Sequence, residues 1–276
     1  MTERHEASAG PGFRMGIQLK VHALSDAAWQ LTNQIGFKSE RAYENVRALP
    51  ADCQRVRMRR LNQIIEVVKA NEGEELGVGN IDHVALETFD LDAAILAVKA
   101  KWGTLDPDIT PDGPALIPQF WDNGANFVFV QGPQSTRIEL CNKVGADPPR
   151  MRRRMVNIGT HDHVGIQSPD LAASRAFYEG LGMSLVGDFT IPTPDGDIRA
   201  NFLRRGEYMV ELFSTPQARA GDVQFCRNPA WSALIFEVSG HSADEKVVMG
   251  PGGERIELRP LSSEGTFTFD KEDLAC

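Results

Sequence analysis

Cysteine is scarce in this chain, and its spacing fixes neither a disulfide nor a metal site. The four cysteines, Cys53, Cys141, Cys226 and Cys276, include no C-x-x-C pair and follow no regular spacing. Cysteines at short, regular spacings are typical of zinc sites and redox centres. Many cysteines in a short chain are typical of small secreted domains. We therefore expect free thiols in a reducing compartment, and a cytoplasmic protein.

A deficit of basic residues and the lack of an apolar run near the N-terminus exclude further classes of function. Basic residues are outnumbered, with 29 Lys and Arg against 38 Asp and Glu and a formal net charge of -9. Such a balance argues against a nucleic-acid or anionic-membrane partner. The segment Met1 to Phe13 contains no apolar run, so we expect neither a signal peptide nor a membrane span there. The expected partner is a small molecule, and a homodimer is compatible with the sequence.

What the chain does have is an internal repeat. Four strand-like segments place one glutamate between two apolar residues: Ile65-Glu66-Val67, Ile138-Glu139-Leu140, Val210-Glu211-Leu212 and Ile256-Glu257-Leu258. A carboxylate inside an apolar strand is costly unless it is paired. Gly132-Pro133 and Gly250-Pro251 precede two of these segments at the same distance, which predicts hairpins closed at Gly-Pro. Four hairpins indicate four modules.

Two of the modules open with matching strands. Asp82-His83-Val84 and Asp162-His163-Val164 each begin an alternating segment that a helix follows, at Leu91 to Lys101 and after Ser168. Ser168 is predicted to cap the second helix, because Pro169 suits its first position. The order within a module is therefore a strand, a helix and further strands, with a histidine on the first strand and a glutamate on the last.

This order resembles the vicinal oxygen chelate superfamily, which includes glyoxalase I, methylmalonyl-CoA epimerase, fosfomycin-resistance proteins and extradiol dioxygenases. The resemblance implies an α+β fold of tandem βαβββ modules, which form two half-open barrels around a divalent metal. It also implies that a first-strand His or Gln and a fourth-strand Glu from each of two modules are the metal ligands.

Applied to this chain, the resemblance gives four modules, of which the first and fourth are degenerate. We expect a disordered tail at residues 1–13, an N-terminal pair of modules at 14–142, a linker at 143–160, a C-terminal pair at 161–262 and a tail at 263–276. The polar stretch Lys38 to Asp52 is predicted to be helical. Module four has only Gly240 to Lys246 in the place of its helix.

The implied metal ligands are His83, Glu139, His163 and Glu211, with Glu257, Glu66 and Gln18 less favoured. They form one complete site if modules two and three face each other. If neighbouring modules pair instead, the sites are Gln18, Glu66, His83 and Glu139 in one half and His163, Glu211 and Glu257 in the other. We favour the first pairing because it leaves no complete ligand unused. Arg255 and Arg259, on the same strand face, offer Glu257 a structural role instead.

Two imidazoles and two carboxylates suit a divalent ion such as Zn, Ni, Fe, Co or Mn. Such an ion can accept two neighbouring substrate oxygens and stabilise an enolate as a Lewis acid. The resemblance supplies Glu139 or Glu211 as the catalytic base. The expected function is a glyoxalase-type isomerase, epimerase or lyase. The alternatives are an extradiol-type ring-cleaving dioxygenase and a non-catalytic ligand-binding member of the family.

The sequence also predicts the locations of an arginine-rich segment, two proline-containing loops and three aromatic residues. The arginine-rich segment Pro148 to Met155 is interpreted as a solvated linker, with an anion clamp as the alternative. The loops Pro107 to Pro114 and Ile191 to Asp197 are interpreted as surface hairpin loops, with a cover over the barrel mouth as the alternative. Phe177, Tyr178 and Trp102 fall at helical spacing and are expected in the core.

Overall fold

The structure of the protein is a computed structural model that describes residues 12–40, 45–74, 76, 80–145, 158–220, 231–240 and 245–261. Its strands are β1 (Phe13–Val21), β2 (Lys38–Ser39), β3 (Arg55–Arg60), β4 (Gln63–Lys69), β5 (Ile81–Glu87), β6 (Ala115–Ile117), β7 (Ala125–Gln131), β8 (Arg137–Lys143), β9 (His161–Gln167), β10 (Ser184–Ile191), β11 (Ile198–Arg205), β12 (Tyr208–Ser214), β13 (Trp231–Val238), β14 (Lys246–Met249) and β15 (Arg255–Pro260). Its helices are α1 (Leu24–Gln30), α2 (Leu91–Lys99), α3 (Leu171–Gly180) and α4 (Pro216–Arg219), and a π-helical turn follows α1 at Leu31–Ile35.

The strands build two sheets. One has seven strands in the order β14-β15-β13-β1-β4-β3-β2, and the other has eight in the order β10-β11-β12-β9-β5-β8-β7-β6. At the centre of each sheet the first strands of two modules run antiparallel, β1 beside β13 and β5 beside β9. The last strand of each module lies next to its first strand and parallel to it. The predicted α+β fold of tandem βαβββ modules with half-open sheets is confirmed.

One sheet joins the two inner modules of the chain, and the other sheet joins the two outer modules. The eight-stranded sheet combines module two (β5 to β8) with module three (β9 to β12), and the seven-stranded sheet combines module one (β1 to β4) with module four (β13 to β15). The preferred pairing of modules two and three is therefore present, and the alternative pairing of module one with two and of module three with four is wrong. The limits predicted for the tails, the linker and the two halves stay predictions.

Alternation along the strands separates a core face from a cavity face. On β8, Ile138 and Leu140 enter one large hydrophobic core that extends through both sheets and the helices, and Glu139 between them faces the other way. On β12, Val210 and Leu212 enter the same core, with Glu211 between them. Each isolated glutamate of the repeat is thus carried to the side opposite the aliphatic core.

The helices α2 and α3 each begin after an aspartate N-cap. The Asp90 side chain accepts a hydrogen bond from the Ala93 amide, and the Asp170 side chain accepts one from the Ala173 amide. The predicted cap at Ser168 is therefore wrong by two residues. The Ser168 hydroxyl is buried and hydrogen-bonded to the Ser174 hydroxyl at 2.7 Å, so it is not available to the start of the helix.

The helix predicted over Lys38 to Asp52 is wrong in the described residues. Lys38–Ser39 pairs with β3 as a short strand, and Val46–Ala48 forms a single 3₁₀ turn. The Glu40 carboxylate receives Arg59 Nε at 2.6 Å and Arg57 Nε at 2.9 Å, and both arginines lie on β3. These ion pairs hold this part of the chain beside the sheet edge.

Module four is short, as expected. Residues 239, 240 and 245 between β13 and β14 are not helical, and residues 241–244 lie outside the described part of the chain. Elsewhere, Tyr178 is fully buried and Phe177 packs against the core, as predicted. Trp102 is instead 87% exposed, because α2 ends at Lys99 and Trp102 adopts a left-handed conformation with φ 65°. Across the described ranges, no helix combines the length and the apolar character needed to cross a membrane.

Candidate metal centre

His83 and His163 meet where module two joins module three. The strands β5 and β9 are antiparallel there, with His83 opposite Gly165. Both imidazoles are buried, their Nε2 atoms lie 3.1 Å apart, and the ring planes form an angle of 81°. Two histidines from separate modules therefore direct the same ring atom to one point.

Gly165 leaves the space that the His83 ring fills. A Cβ atom at position 165 would lie 2.1 Å from Cε1 and 2.4 Å from Nε2 of His83. Carbon atoms do not approach each other so closely without a shift of the ring or the strand. The glycine in the third module is therefore part of the reason that the two histidines can converge.

Glu139 on β8 and Glu211 on β12 complete the cluster. Glu139 Oε2 lies 3.2 Å from His83 Nε2 and 3.8 Å from His163 Nε2. Glu211 Oε2 lies 3.3 Å from His163 Nε2 and 3.6 Å from His83 Nε2. Both carboxylates are buried. The structure thus brings together the four residues that the sequence analysis favoured as ligands.

The aspartate that precedes each histidine orients its ring. Asp82 Oδ1 lies 3.0 Å from His83 Nδ1, and Asp162 Oδ1 lies 2.8 Å from His163 Nδ1. A carboxylate at Nδ1 favours the tautomer protonated there and leaves the Nε2 lone pair for a cation. Arg137 holds Asp82 in turn, with its Nη1 donating to Asp82 Oδ2 at 3.1 Å.

The buried charges shift one another's pKa values. Burial favours a neutral ring, but the hydrogen bonds to Asp82 and Glu211 and the charge of Glu139 raise the pKa of His83 to about 9. Burial also favours the neutral ring of His163. The pKa of His163 is nevertheless raised well above its ordinary value by the nearby Glu139, Asp162 and Glu211.

The pKa values of the two carboxylates are shifted in opposite directions. Burial raises the pKa of Glu139, although the two charged rings oppose it. Burial acts in the same direction on Glu211, but its hydrogen bonds with His163 and His83 prevail and lower its pKa to about 2. Glu211 is therefore the carboxylate more firmly held in its charged form.

The donor set fits a divalent cation. One ligand atom each of His83, His163 and Glu211 lie within 4.8 Å of one another, so a single ion can contact all three. Imidazole and carboxylate together suit Zn, Ni, Fe, Co and Mn. Glu139 is not part of this compact group, but its carboxylate borders it. Cys141, Asp162 and His163 form a second such group in the same region.

Strand register identifies the positions in modules one and four that correspond to His83 and His163. In the complete cluster, each glutamate pairs with the residue two positions after a histidine, Glu139 with Ala85 and Glu211 with Gly165. In the other sheet Glu66 pairs with Gln18 and Glu257 pairs with Ile235. The positions that correspond to the histidines are therefore Gly16 and Ala233, which have no ligand atom in their side chains.

Glu66 and Glu257 are engaged with arginines instead, and Gln18 is engaged with Glu66. Arg259 donates from Nη1 and Nη2 to the two Glu66 oxygens, at 3.0 Å each, and also contacts Glu257. Gln18 donates to Glu66 at 3.3 Å, and Arg255 donates to Glu257 at 3.1 Å. A buried guanidinium thus supplies the positive charge between the two carboxylates of this half.

A cavity of about 430 Å³ opens onto the histidine and glutamate cluster. Its walls are largely aromatic and aliphatic, with residues from modules two and three: Ile109, Ile117, Phe120, Trp121, Phe127, Phe129, Ile191, Ile198, Phe202 and Phe213. Ile109 and Ile191 belong to the two loops for which a covering role was the alternative interpretation, and both border the cavity. Pro148 to Met155 lies outside the described residues.

Several residues of this site were not predicted as parts of it. Asp82 and Asp162 stood in the repeated Asp-His-Val motif, so their shared position was a usable signal. Cys141 lines the cavity two residues after Glu139, and the two-residue period of a strand was the available signal that both face the same side of β8. The aromatic walls gave no signal, because they come from segments far apart in the chain.

Comparisons with known proteins agree with this arrangement. The model of the glyoxalase/bleomycin resistance protein/dioxygenase superfamily matches residues 160–270. Glyoxalase I from Zea mays is similar in fold, with a TM-score of 0.63 and 17% identity over 90% of this chain and 92% of that chain. A proposed dioxygenase from Bacillus subtilis has a TM-score of 0.57 and 12% identity over 89% of this chain and 84% of that chain. Curated protein sequences give no significant match.

These similarities agree with the sheet topology and the module order. The matched residues 160–270 begin just before β9 and include modules three and four. The likeness to the two solved structures extends over both halves but, at these identities, concerns the fold alone. Residues 160–270 thus match the glyoxalase/bleomycin resistance protein/dioxygenase superfamily, in a chain that has the vicinal oxygen chelate fold.

Proposed function

We propose that the protein is a divalent-metal-dependent isomerase, epimerase or lyase of the glyoxalase type, which acts through an enolate on a small substrate with adjacent oxygens. The observation that supports this proposal best is the second carboxylate. Glu139 lies 3.2 Å from His83 Nε2 and borders a group of three other ligands that can contact an ion without it. A carboxylate in that position is available to move a proton.

Each residue has a distinct role in this proposal. His83, His163 and Glu211 would hold the metal, with Asp82 and Asp162 as positioning residues for the two rings. When bound, the ion would supply Lewis-acid stabilisation of negative charge on the substrate oxygens. Glu139 would accept the proton from the carbon next to those oxygens and return it to the same or the neighbouring carbon.

The cavity wall supports the same chemistry. Phe129 packs edge-on against His83 with ring centroids 5.1 Å apart, and Phe202 packs edge-on against His163 at 5.4 Å. These rings exclude water from one side of each imidazole. A dry wall lowers the local dielectric, so that the charged groups act more strongly on the reacting atoms.

Proton exchange tests the proposal. The protein, saturated in turn with Zn²⁺, Ni²⁺, Co²⁺ and Mn²⁺, is incubated in D₂O with a panel of 2-hydroxyketones and 2-oxo esters. We expect deuterium at the carbon next to the oxygens of at least one compound. The Glu139→Gln variant should retain metal and slow that exchange by about 10²–10⁴-fold. No exchange from any member of the panel at metal saturation would count against an isomerase or lyase.

A ring-cleaving dioxygenase is the second candidate, because the compact group consists of two histidines and one carboxylate. That set is typical of non-haem Fe(II) oxygenases. Oxygen uptake by the Fe²⁺-loaded protein in the presence of a catechol, without deuterium exchange in the panel above, would replace our proposal with this one. A chain that retains no divalent ion would favour the non-catalytic alternative.

We keep a cytoplasmic location and the option of a homodimer as parts of the proposal. The free Cys53 and Cys141 are compatible with a reducing compartment. Light scattering of the purified protein measures the oligomeric state directly.

A further inference from the structure

The cavity face of β8 runs from the metal centre to a lysine. Side chains on one face of a strand recur every second residue, and Glu139, Cys141 and Lys143 share the face that lines the cavity. Lys143 lies four positions after Glu139, which corresponds to about 13 Å along the strand. The cavity therefore has a carboxylate and two imidazoles at one end and a primary amine along the same wall.

Between these ends lies an aromatic wall that both modules build. The Trp121 ring lies 5.2 Å from Phe202 and 5.3 Å from Phe189, and Phe120 lies 5.2 Å from Phe202. Phe120 and Trp121 precede β7 of module two, whereas Phe189 and Phe202 lie on β10 and β11 of module three. The four rings form a compact cluster whose inner surface faces the cavity at Phe120, Trp121 and Phe202.

The ammonium group of Lys143 lies over the ring of Trp121, whose backbone has a left-handed conformation. Trp121 has a φ of 55°, in the left-handed region that non-glycine residues seldom occupy, and such conformations cluster at ligand sites. The Lys143 Nζ atom lies 3.7 Å from the centroid of its ring. The ring face attracts the positive charge but accepts none of the three ammonium protons as a conventional hydrogen bond.

Lys143 is also the cavity cation with capacity for a further partner. Among the described residues that line the cavity, the other lysine or arginine is Arg137. Arg137 is ion-paired with Asp82 at 3.1 Å and with Asp106 at 3.2 Å. Lys143 forms no direct ion pair within the part of the chain that the structure describes, and its charge acts on Asp162, whose pKa it helps to lower against the effect of burial. An anionic ligand group would therefore meet Lys143 and not Arg137.

We propose that the substrate is a two-ended aryl compound. Its adjacent oxygens lie at the metal centre, its flat apolar part packs on Trp121, Phe120 and Phe202, and an anionic group at the far end of the ring pairs with Lys143. This inference rests on the proposed function, because it adds the substrate class to the same site. Lys143 and Trp121 are then the residues that determine specificity.

Binding of three matched probes tests the inference. Mandelate, 4-carboxymandelate and 4-carbamoylmandelate share the adjacent oxygens and the ring, and differ in the group at the far end. Their affinities for the Zn²⁺-loaded protein are measured by calorimetry. We expect 4-carboxymandelate to bind about tenfold or more tightly than the other two, as for a hydrogen bond to a charged partner.

Variants assign that preference to the two residues. Lys143→Gln should remove the preference for the carboxylate and leave mandelate affinity almost unchanged. Trp121→Ala should weaken all three aryl probes, and Trp121→Phe should restore most of the loss. Lys101→Gln and Trp102→Ala are matched controls, since both residues are exposed at the end of α2, and neither should change any of the three affinities.

The outcomes separate this inference from the proposed function. Equal affinity for 4-carboxymandelate and 4-carbamoylmandelate in the unmodified protein, or a preference that persists in Lys143→Gln, would overturn the anionic end. Unchanged aryl affinity in Trp121→Ala, with its fold verified by circular dichroism, would overturn the aromatic subsite. Both readouts are binding constants, so a failed deuterium exchange would leave them standing, and exchange with small alkyl substrates alone would leave the proposed function standing without this inference.

Discussion

His83 and Gly165 lie directly opposite each other on adjacent antiparallel strands, and the imidazole occupies the space that a side chain at position 165 would need. The distance from the absent Cβ to His83 Cε1 would be 2.1 Å, far inside van der Waals contact. One residue of module three therefore determines where a ligand of module two can stand. This dependence links the two modules through the metal centre and not only through the sheet.

Gly165→Ala should weaken metal binding. The added methyl group displaces the His83 ring, and misorienting a metal-binding histidine typically costs about 10–100-fold in affinity. The change is measured by competition with a chelator of known affinity. Gly180→Ala is the matched control, because a Cβ at position 180 meets no atom within 4 Å and metal affinity should not change. Equal affinity in both variants would show that His83 does not need its present position.

Metal uptake should release protons. The pKa of His83 is raised to about 9 by Asp82, Glu211 and Glu139 against the effect of burial, so its ring is protonated at neutral pH without a cation. An incoming ion must displace that proton, and apparent affinity should therefore rise from neutral pH to about pH 9. Calorimetry at pH 7 in two buffers of different ionisation enthalpy measures the released protons. Identical heats in both buffers would contradict the prediction.

Arg259→Met should destabilise the fold strongly. It leaves the buried carboxylates Glu66 and Glu257 facing each other without their shared guanidinium, and breaking a buried ion pair typically costs about 3–5 kcal/mol of unfolding free energy. Chemical denaturation measures the loss. Arg175→Met is the comparison, because the Arg175–Glu179 pair is 40% exposed at both ends and such pairs contribute about 0.3–0.5 kcal/mol. Similar losses in the two variants would contradict the structural role of Arg259.

The metal cluster could be predicted from the sequence because it is repeated. A histidine on a first strand and a glutamate on a last strand occur in modules two and three in the same order, and strand periodicity places each on the face away from the aliphatic core. The pairing of the modules was less determined, since the sequence is equally compatible with module two facing module three and with module one facing two and module three facing four. The histidine of module two meets that of module three because β5 and β9 are adjacent strands of the same sheet.

What the sequence did not indicate depends on contacts between distant segments. Trp121 and Phe202 lie in different modules, and no local pattern indicates that they meet. The register of module one was also misjudged, because Gln18 was placed at the histidine position that strand pairing assigns to Gly16. Trp102 was expected in the core since its spacing fits a helix, but the helix ends before it.

The metal content of the unmodified protein and three variants tests the central claim most directly. After purification with excess Zn²⁺ and removal of unbound ion, elemental analysis should find about one ion per chain in the unmodified protein and in Glu257→Ala, because Glu257 is paired with Arg255 and Arg259. His83→Ala and His163→Ala should each retain little, because each loses one of two imidazoles. Loss of the ion in Glu257→Ala, with His83→Ala still loaded, would contradict a centre built from modules two and three.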